Sequence, residues 1–240
     1  MLDLPDVTLV CVFTVCHDLT LLAVDECLKQ VNFGDVKLFT NKDLGREHIK
    51  VEFSDSTKMA EFTNYCVPNY IKTSHILFVQ YDSWVLDPKM WQNDFLKYDY
   101  VGAPWWYNDN FNVGNSGFNL RSISLMKFLA EYKSEFPIAL PEDHTLCRKY
   151  QPMLPQFKWA PTKLAQQFAF ERTRPAIDSK HFGFHGTFNW PFVLSYEQLN
   201  ERMEIAKNTP YIQQNGMLAE LDRIWYGTWG HNQGIYRGSA

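Results

Sequence analysis

At 240 residues, with 45% hydrophobic residues and a formal net charge of -4, the chain is long enough for one large domain with a sizeable core. A pI near 6.0 and the lack of a basic stripe exclude a phosphate backbone as main partner, so no nucleic acid is expected. Cys11, Cys16, Cys27, Cys66 and Cys147, odd in number and without Cys-x-x-Cys spacing, exclude a disulfide framework or zinc ribbon and suit a reducing, cytoplasmic setting.

The first apolar run, "VTLVCVFTV", is nine residues long, follows two acids and lacks a basic leader. It is therefore read as a buried strand over 7–14, and neither a signal peptide nor a membrane span is expected. Leu21, Leu22, Val24, Leu28 and Val31 form a helical stripe, and 36–40 is the next β-branched and aromatic run. Residues 56–71 repeat the helical idea before a third strand at 75–81, "HILFVQY". This β-α-β-α-β order predicts parallel strands joined by crossover helices. Asp87 and Pro88 then have the chemistry of a helix N-cap and first position. Strands are predicted at 98–104 and 117–122, flanking the loop "WWYNDNFNVGNS", with Ser122 capping a helix over 123–132. Pro141 starts another helix, with Glu142 and Asp143 in its first turn. Beyond residue 150, prolines at 152, 155, 161 and 175 precede a strand, "KHFGFHG", and two polar helices from about Ser195, where Ser195 and Gln198 have capping-box spacing. The simplest partition is one domain, 1–194, with a C-terminal helical extension, 195–240. Self-association through that extension stays open. Aromatic residues cluster at 103–111 and 223–236.

Open parallel α/β sheets bind ligands at the carboxyl ends of their strands, and Thr14, Thr40 and Asp82 fall there. No Gly-x-Gly-x-x-Gly loop follows the first strand and no Walker-type loop occurs, so dinucleotide and P-loop readings fail. His17, Asp18 and Thr14 are placed to line a base and ribose. His181 and His185 sit in an aromatic, strand-like stretch, where four residues span about 13 Å. One ion cannot take both, and His185, before Gly186 at the strand end, is the candidate. Gly114 and Gly117 flank Asn115 and Ser116, allowing close backbone approach or simply a turn. Trp105, Trp106 and Tyr107 offer faces for sugar rings, although core packing is an equally ordinary use.

Taken in order, "FVQYDSW", "VGNSGFNLRS", "PEDHTLCRKY" and "FGFHG" resemble GT-A-type glycosyltransferases. The likeness covers roughly 6–192 and is greatest to a bacterial and viral group known mainly as a domain of unknown function. It implies a GT-A-like, Rossmann-type, mixed and mostly parallel sheet flanked by helices. It also implies a nucleotide-sugar donor, a glycan or glycolipid acceptor and a divalent cation, Mn2+ or Mg2+. Carried over residue by residue, it makes Asp82 and His185 metal ligands and Asp143 the catalytic base, with Glu142 as alternate. It also makes Gly117 part of the acceptor-side strand. Strand-end location, rather than the resemblance, places Thr14, His17, Asp18, Thr40, Gln80, Tyr81 and Asp82 beside the donor, and the aromatic faces and the glycine-flanked turn place Trp105, Trp106 and Asn115 beside the acceptor. The chain departs from the family's Asp-x-Asp pattern, because Gln80 and Trp84 occupy the flanking same-face positions. The metal site is therefore expected to be weak until diphosphate oxygens and water complete it. With Asp143 as base, transfer would invert the anomeric configuration. A glycoside hydrolase pairing Asp82 with Glu142 or Asp143 is the enzyme alternative, and a non-catalytic glycan-binding module is the other.

Overall fold

The apolar run predicted as the first strand, 7–14, begins five residues earlier and ends one residue earlier than expected. In the computed structural model, which describes residues 1–172 and 180–214 together with 216, 219 and 223, β1 spans Leu2–Phe13. It is followed by α1 (His17–Leu28), β2 (Val31–Thr40), β3 (Ile49–Lys50), α2 (Ser56–Tyr65) and β4 (His75–Val79). The second half adds β5 (Tyr100–Val101), β6 (Phe118–Ser122), α3 (Ile123–Glu131) and α4 (Glu142–His144). The chain then continues through α5 (Thr162–Phe168), β7 (Ala169–Phe170), β8 (Gly183–Phe184), α6 (Trp190–Val193), α7 (Tyr196–Lys207) and α8 (Pro210–Gln214).

Six strands form one sheet in the order β3-β2-β1-β4-β6-β5. β1 pairs in parallel with β2 and β4, and β2 with β3, while β6 runs antiparallel to both β4 and β5. β7 and β8 form a separate parallel pair. The sheet is thus mixed and mostly parallel, as the resemblance implied.

The strands read as continuous apolar runs because both faces are covered. Leu9 and Cys11 of β1 and Leu77 and Val79 of β4 join Leu19, Ala23 and Val24 of α1 in one core. The alternate residues, Val10, Ile76 and Phe78, face Met126 of α3, with Phe62 of α2 packed alongside. Leu199, Met203 and Ala206 of α7 complete the first core. Arg202 of α7 lies with its guanidinium 4.3 Å from the centroid of Trp84, a cation–π contact that ties α7 to the segment after β4.

Local chemistry sets the boundaries. The Ser122 side chain accepts from the Leu125 N–H at the start of α3, Asp87 caps a 3-10 turn beginning at Pro88, and Ser195 and Gln198 form a capping box on α7. β4 stops at Val79, two residues earlier than predicted, because Gln80 and Ser83 close a turn through Ser83 N–H to Gln80 O. The predicted strand 98–104 contracts to two paired residues, and "KHFGFHG" likewise pairs only at Gly183–Phe184. Most of 215–240, including the aromatic stretch from residue 224 on, and Pro175 lie outside the described residues. Among the described residues no helix is long and apolar enough to cross a membrane. All five cysteines are free.

Candidate functional site

Asp82 sits in the turn after β4, at the carboxyl edge of the parallel strands. Ser83 holds that turn against the start of β6, accepting from the Gln80 N–H at 2.9 Å and donating to Gly117 O at 2.6 Å. From the other side, Gly186 N–H donates to Asp82 O at 3.0 Å. The backbone after β8 is thereby fastened to the turn after β4. This contact brings His185, 103 residues later, to Asp82 with Nε2 3.4 Å from Oδ1. Asp82 is buried, and its Oδ1 accepts no hydrogen bond from the described residues.

The other edge of the imidazole meets residues to which the sequence reading gave no metal-site role. Nδ1 lies 3.1 Å from Glu171 Oε1, just beyond β7, and 2.9 Å from Asn115 Nδ2. Asn115 has φ 82°, a left-handed conformation that asparagine tolerates better than most residues. Its Oδ1 accepts from the N–H groups of Gly117 and Phe118 at 2.7 and 3.0 Å, an Asx-type turn that fixes the amide nitrogen toward His185. Burial disfavours the imidazolium, but the charges of Asp82 and Glu171, with the hydrogen bond to Glu171, outweigh it and lift the His185 pKa to about 10. Burial likewise pushes Glu171 up, yet its bond to His185 and the Asn115 amide hold it below the usual carboxylate range.

Two glycines in "VGNSG" have steric explanations. A Cβ on Gly117 would lie 2.0 Å from His185 Cδ2 and 2.1 Å from Nε2, and one on Gly114 would lie 2.0 Å from the Trp105 ring. The close approach that glycine permits here is therefore to the protein's own rings.

The acids of α4 divide. Glu142 Oε1 pairs at 2.8 Å with Arg121, whose side chain is fully buried and also reaches Asn64 Oδ1 and Asn119 Oδ1 at 2.9 and 2.7 Å. The Arg121 guanidinium further stacks on Phe78 and Tyr100. Asp143 is half-buried and accepts from the His144 N–H. Its charge, after burial and Cys147, contributes to pushing the Tyr100 hydroxyl up, and that hydroxyl donates to Asn115 O. Asp143 thus acts on Tyr100 through charge alone, and Tyr100 hydrogen-bonds the turn facing His185. Trp105 is buried against His144, Trp106 is 59% exposed, and Tyr107 carries Arg148 over its face at 3.7 Å.

Toward the donor candidates, Tyr81 and Cys16 adjoin Asp82: burial, then the Asp82 charge, pushes the Cys16 thiol up to about 12 and raises the Tyr81 hydroxyl as well. Cys16 itself has φ 55° at the start of α1. His17 Nε2 meets Asn41 Oδ1 at 2.9 Å, Thr40 is buried at the end of β2, Thr14 is half-buried, and Asp18 is exposed. These residues share the carboxyl edge over β1 and β2. His181 turns away, bonding Gln166 O and packing on Phe170. A cleft of about 700 Å³ beside α2, lined by residues including Phe53, Lys58 and Tyr65, contains none of the candidate residues. Among the described residues no group of three or more His, Cys, Asp or Glu side chains is arranged to hold a metal ion.

The sequence reading missed Glu171 and Arg121. The first follows a strand of two residues, too short to show a period, and the second is a charge at a strand position where burial is unexpected. The signal for Arg121 lay in Glu142, an acid able to partner it.

A search of solved structures returns glycosyltransferases. One, a glycosyltransferase involved in glycosylation of the major capsid of PBCV-1, aligns with TM-score 0.50 and 12% identity over 75% of this chain and 91% of its own. An active-site mutant of LgtC aligns at 0.49 and 11% over 85% and 96%. Apo GlyE of Streptococcus pneumoniae TIGR4 aligns at 0.49 and 11% over 80% of this chain and 55% of its own length. The first of these establishes a GT-A-like fold. No curated protein matches the chain. A family model covers residues 57–185, which contain Asp82, Asn115, Gly117, Asp143, Glu171 and His185, and the chain belongs to that family, described as a protein of unknown function (DUF5672).

Proposed function

We propose that this chain is a metal-assisted glycosyltransferase that moves a sugar from a nucleotide-sugar donor to a glycan or glycolipid hydroxyl with inversion, acting in the cytoplasm. The observation that carries the proposal is the meeting of Asp82 and His185 at the carboxyl edge of the sheet, Nε2 3.4 Å from a buried Oδ1 that accepts no hydrogen bond from the described residues. Two donor atoms each about 2.1 Å from one cation, at angles between octahedral and tetrahedral, stand about 3.0–3.4 Å apart. The pair therefore fits a divalent cation, and imidazole with carboxylate suits manganese at least as well as magnesium. When bound, the cation supplies charge neutralisation for the departing nucleoside diphosphate.

The chain's own groups do the remaining work. His185 gives up its Nε2 proton to become a ligand, because only the neutral ring has a lone pair there. Tyr81, Gln80, Thr14, His17, Asp18 and Thr40 line the donor side of the edge. Trp106 and Tyr107 present aromatic faces to the acceptor, with Trp105 packed against Tyr107 and with Asn115 and Gly117 assigned to the same side. Asp143 accepts the proton from the attacking hydroxyl. Glu142 is committed to Arg121, so it fixes the turn that carries Asp143. That commitment also weakens the paired-carboxylate hydrolase alternative. Residues 1–194 would form the catalytic unit and 195–240 its helical extension, whose α7 packs into the same core.

A panel of nucleotide sugars incubated with the protein and Mn2+ should release one nucleoside diphosphate above background, more with acceptor than without. Cleavage of a glycan without nucleotide or metal would assign a hydrolase. Sugar binding indifferent to every nucleoside diphosphate would assign a binding module.

A further inference from the structure

We propose that Glu171 is the positioning carboxylate of the cation site, setting the orientation and tautomer of His185. The inference rests on the assignment of Asp82 and His185 as the protein's ligands to the cation. Glu171 Oε1 is 3.1 Å from Nδ1, and its side chain is only 12% exposed. Nδ1 and Nε2 lie on opposite edges of the imidazole, so a carboxylate at Nδ1 cannot reach an ion held between Nε2 and Asp82. Glu171 is therefore not the second acid missing from the turn after β4. It accepts the Nδ1 proton instead, which leaves the Nε2 lone pair for the metal, the arrangement by which carboxylates orient ligating histidines.

The surroundings hold both partners. Asn189 Nδ2 donates to Glu171 O at 2.9 Å and to His185 O at 2.7 Å, clamping the two backbones together. His185 N–H donates to Phe170 O at 3.0 Å. The Asn115 amide bonds the Glu171 carboxylate from the side, and Gly117 leaves the face of the ring clear for close packing. The carboxylate consequently meets the ring through fixed backbone on both sides.

The test is Mn2+ binding to the full-length protein, read by water-proton relaxation with Mn2+ alone, in wild type, Glu171→Ala, Glu171→Gln and His185→Ala. Wild type should bind weakly and His185→Ala not measurably. Glu171→Ala should weaken binding about 10–100-fold. Glu171→Gln, whose amide oxygen still accepts from Nδ1–H, should lose about threefold to tenfold. If wild type and His185→Ala bind alike, the cation-site assignment falls, and the role of Glu171 with it. If wild type exceeds His185→Ala but both Glu171 variants match wild type, only the role of Glu171 is overturned. A purely structural role would lower the melting temperatures of the Glu171 variants and leave Mn2+ affinity intact. Should Glu171→Ala fail to fold, Glu171→Gln decides, and wild-type affinity there refutes the proposal.

Discussion

Gly117→Ala probes the site through space rather than charge. The added methyl would stand 2.0 Å from His185 Cδ2 and 2.1 Å from Nε2, whereas carbon atoms in contact settle at about 3.5–4.0 Å. The imidazole must retreat by roughly 1.5–2 Å. It is held at its far edge by Glu171, so it cannot move without breaking that bond or separating Nε2 from Asp82 Oδ1. Overpacking of this kind costs about 1–3 kcal/mol. The alanine backbone returns about 0.4–1 kcal/mol through the unfolded chain. A net loss of about 1–2 kcal/mol lowers the melting temperature of a chain this size by roughly 2–8 °C. The larger effect falls on function: Mn2+-dependent nucleotide binding should disappear while the fold persists. Differential scanning fluorimetry with and without Mn2+ and nucleoside diphosphates reads both. A Gly117→Ala protein with wild-type melting temperature and wild-type Mn2+ response would refute the packing argument.

Three further outcomes follow from the same geometry. Asp143→Asn should abolish transfer while nucleoside diphosphate binding stays at the wild-type level, and loss of that binding would count against Asp143 as the base. Arg121→Met removes a fully buried cation from Glu142 and leaves the carboxylate without its partner, so chemical denaturation should show about 3–5 kcal/mol of destabilisation; a change below about 1 kcal/mol, the level of an exposed pair, would contradict the network. In the metal-free protein the folded His185 binds its proton more tightly than the unfolded chain, with the pKa raised from 6.5 to about 10. Its stabilisation is therefore complete below pH 6.5 and drains away as pH rises toward 10, a decline on the order of a few kcal/mol. Urea titrations in a chelator across that range should show it, and an equal slope in His185→Gln would remove His185 as the cause.

Most of the frame was legible in the sequence because continuous apolar runs, helical stripes and caps each have one local cause. β1, β4 and β6, the Ser122 cap and the Ser195–Gln198 box all follow from neighbours within a few residues. The two-residue strands β5, β7 and β8 were not legible in their bounds, since their pairing depends on partners far along the chain. The same limit governs the site. Asp82 and His185 are visible as strand-end residues, but their meeting depends on Gly186 N–H bonding Asp82 O, a contact no spacing rule predicts. Glu171 is recognisable only once β7 lies beside β8. Gly117 shows the reverse case: the sequence marks a close approach, and the structure identifies the approaching group as His185.

The most direct test of the central claim is a thermal-shift panel of nucleoside diphosphates with and without Mn2+, because a ligand that binds only the native state raises its apparent stability. At least one nucleoside diphosphate should raise the melting temperature in a Mn2+-dependent way, with that dependence lost in Asp82→Asn and in His185→Ala. No shift with any nucleoside diphosphate, with or without Mn2+, would contradict a nucleotide-sugar-dependent transferase built around Asp82 and His185.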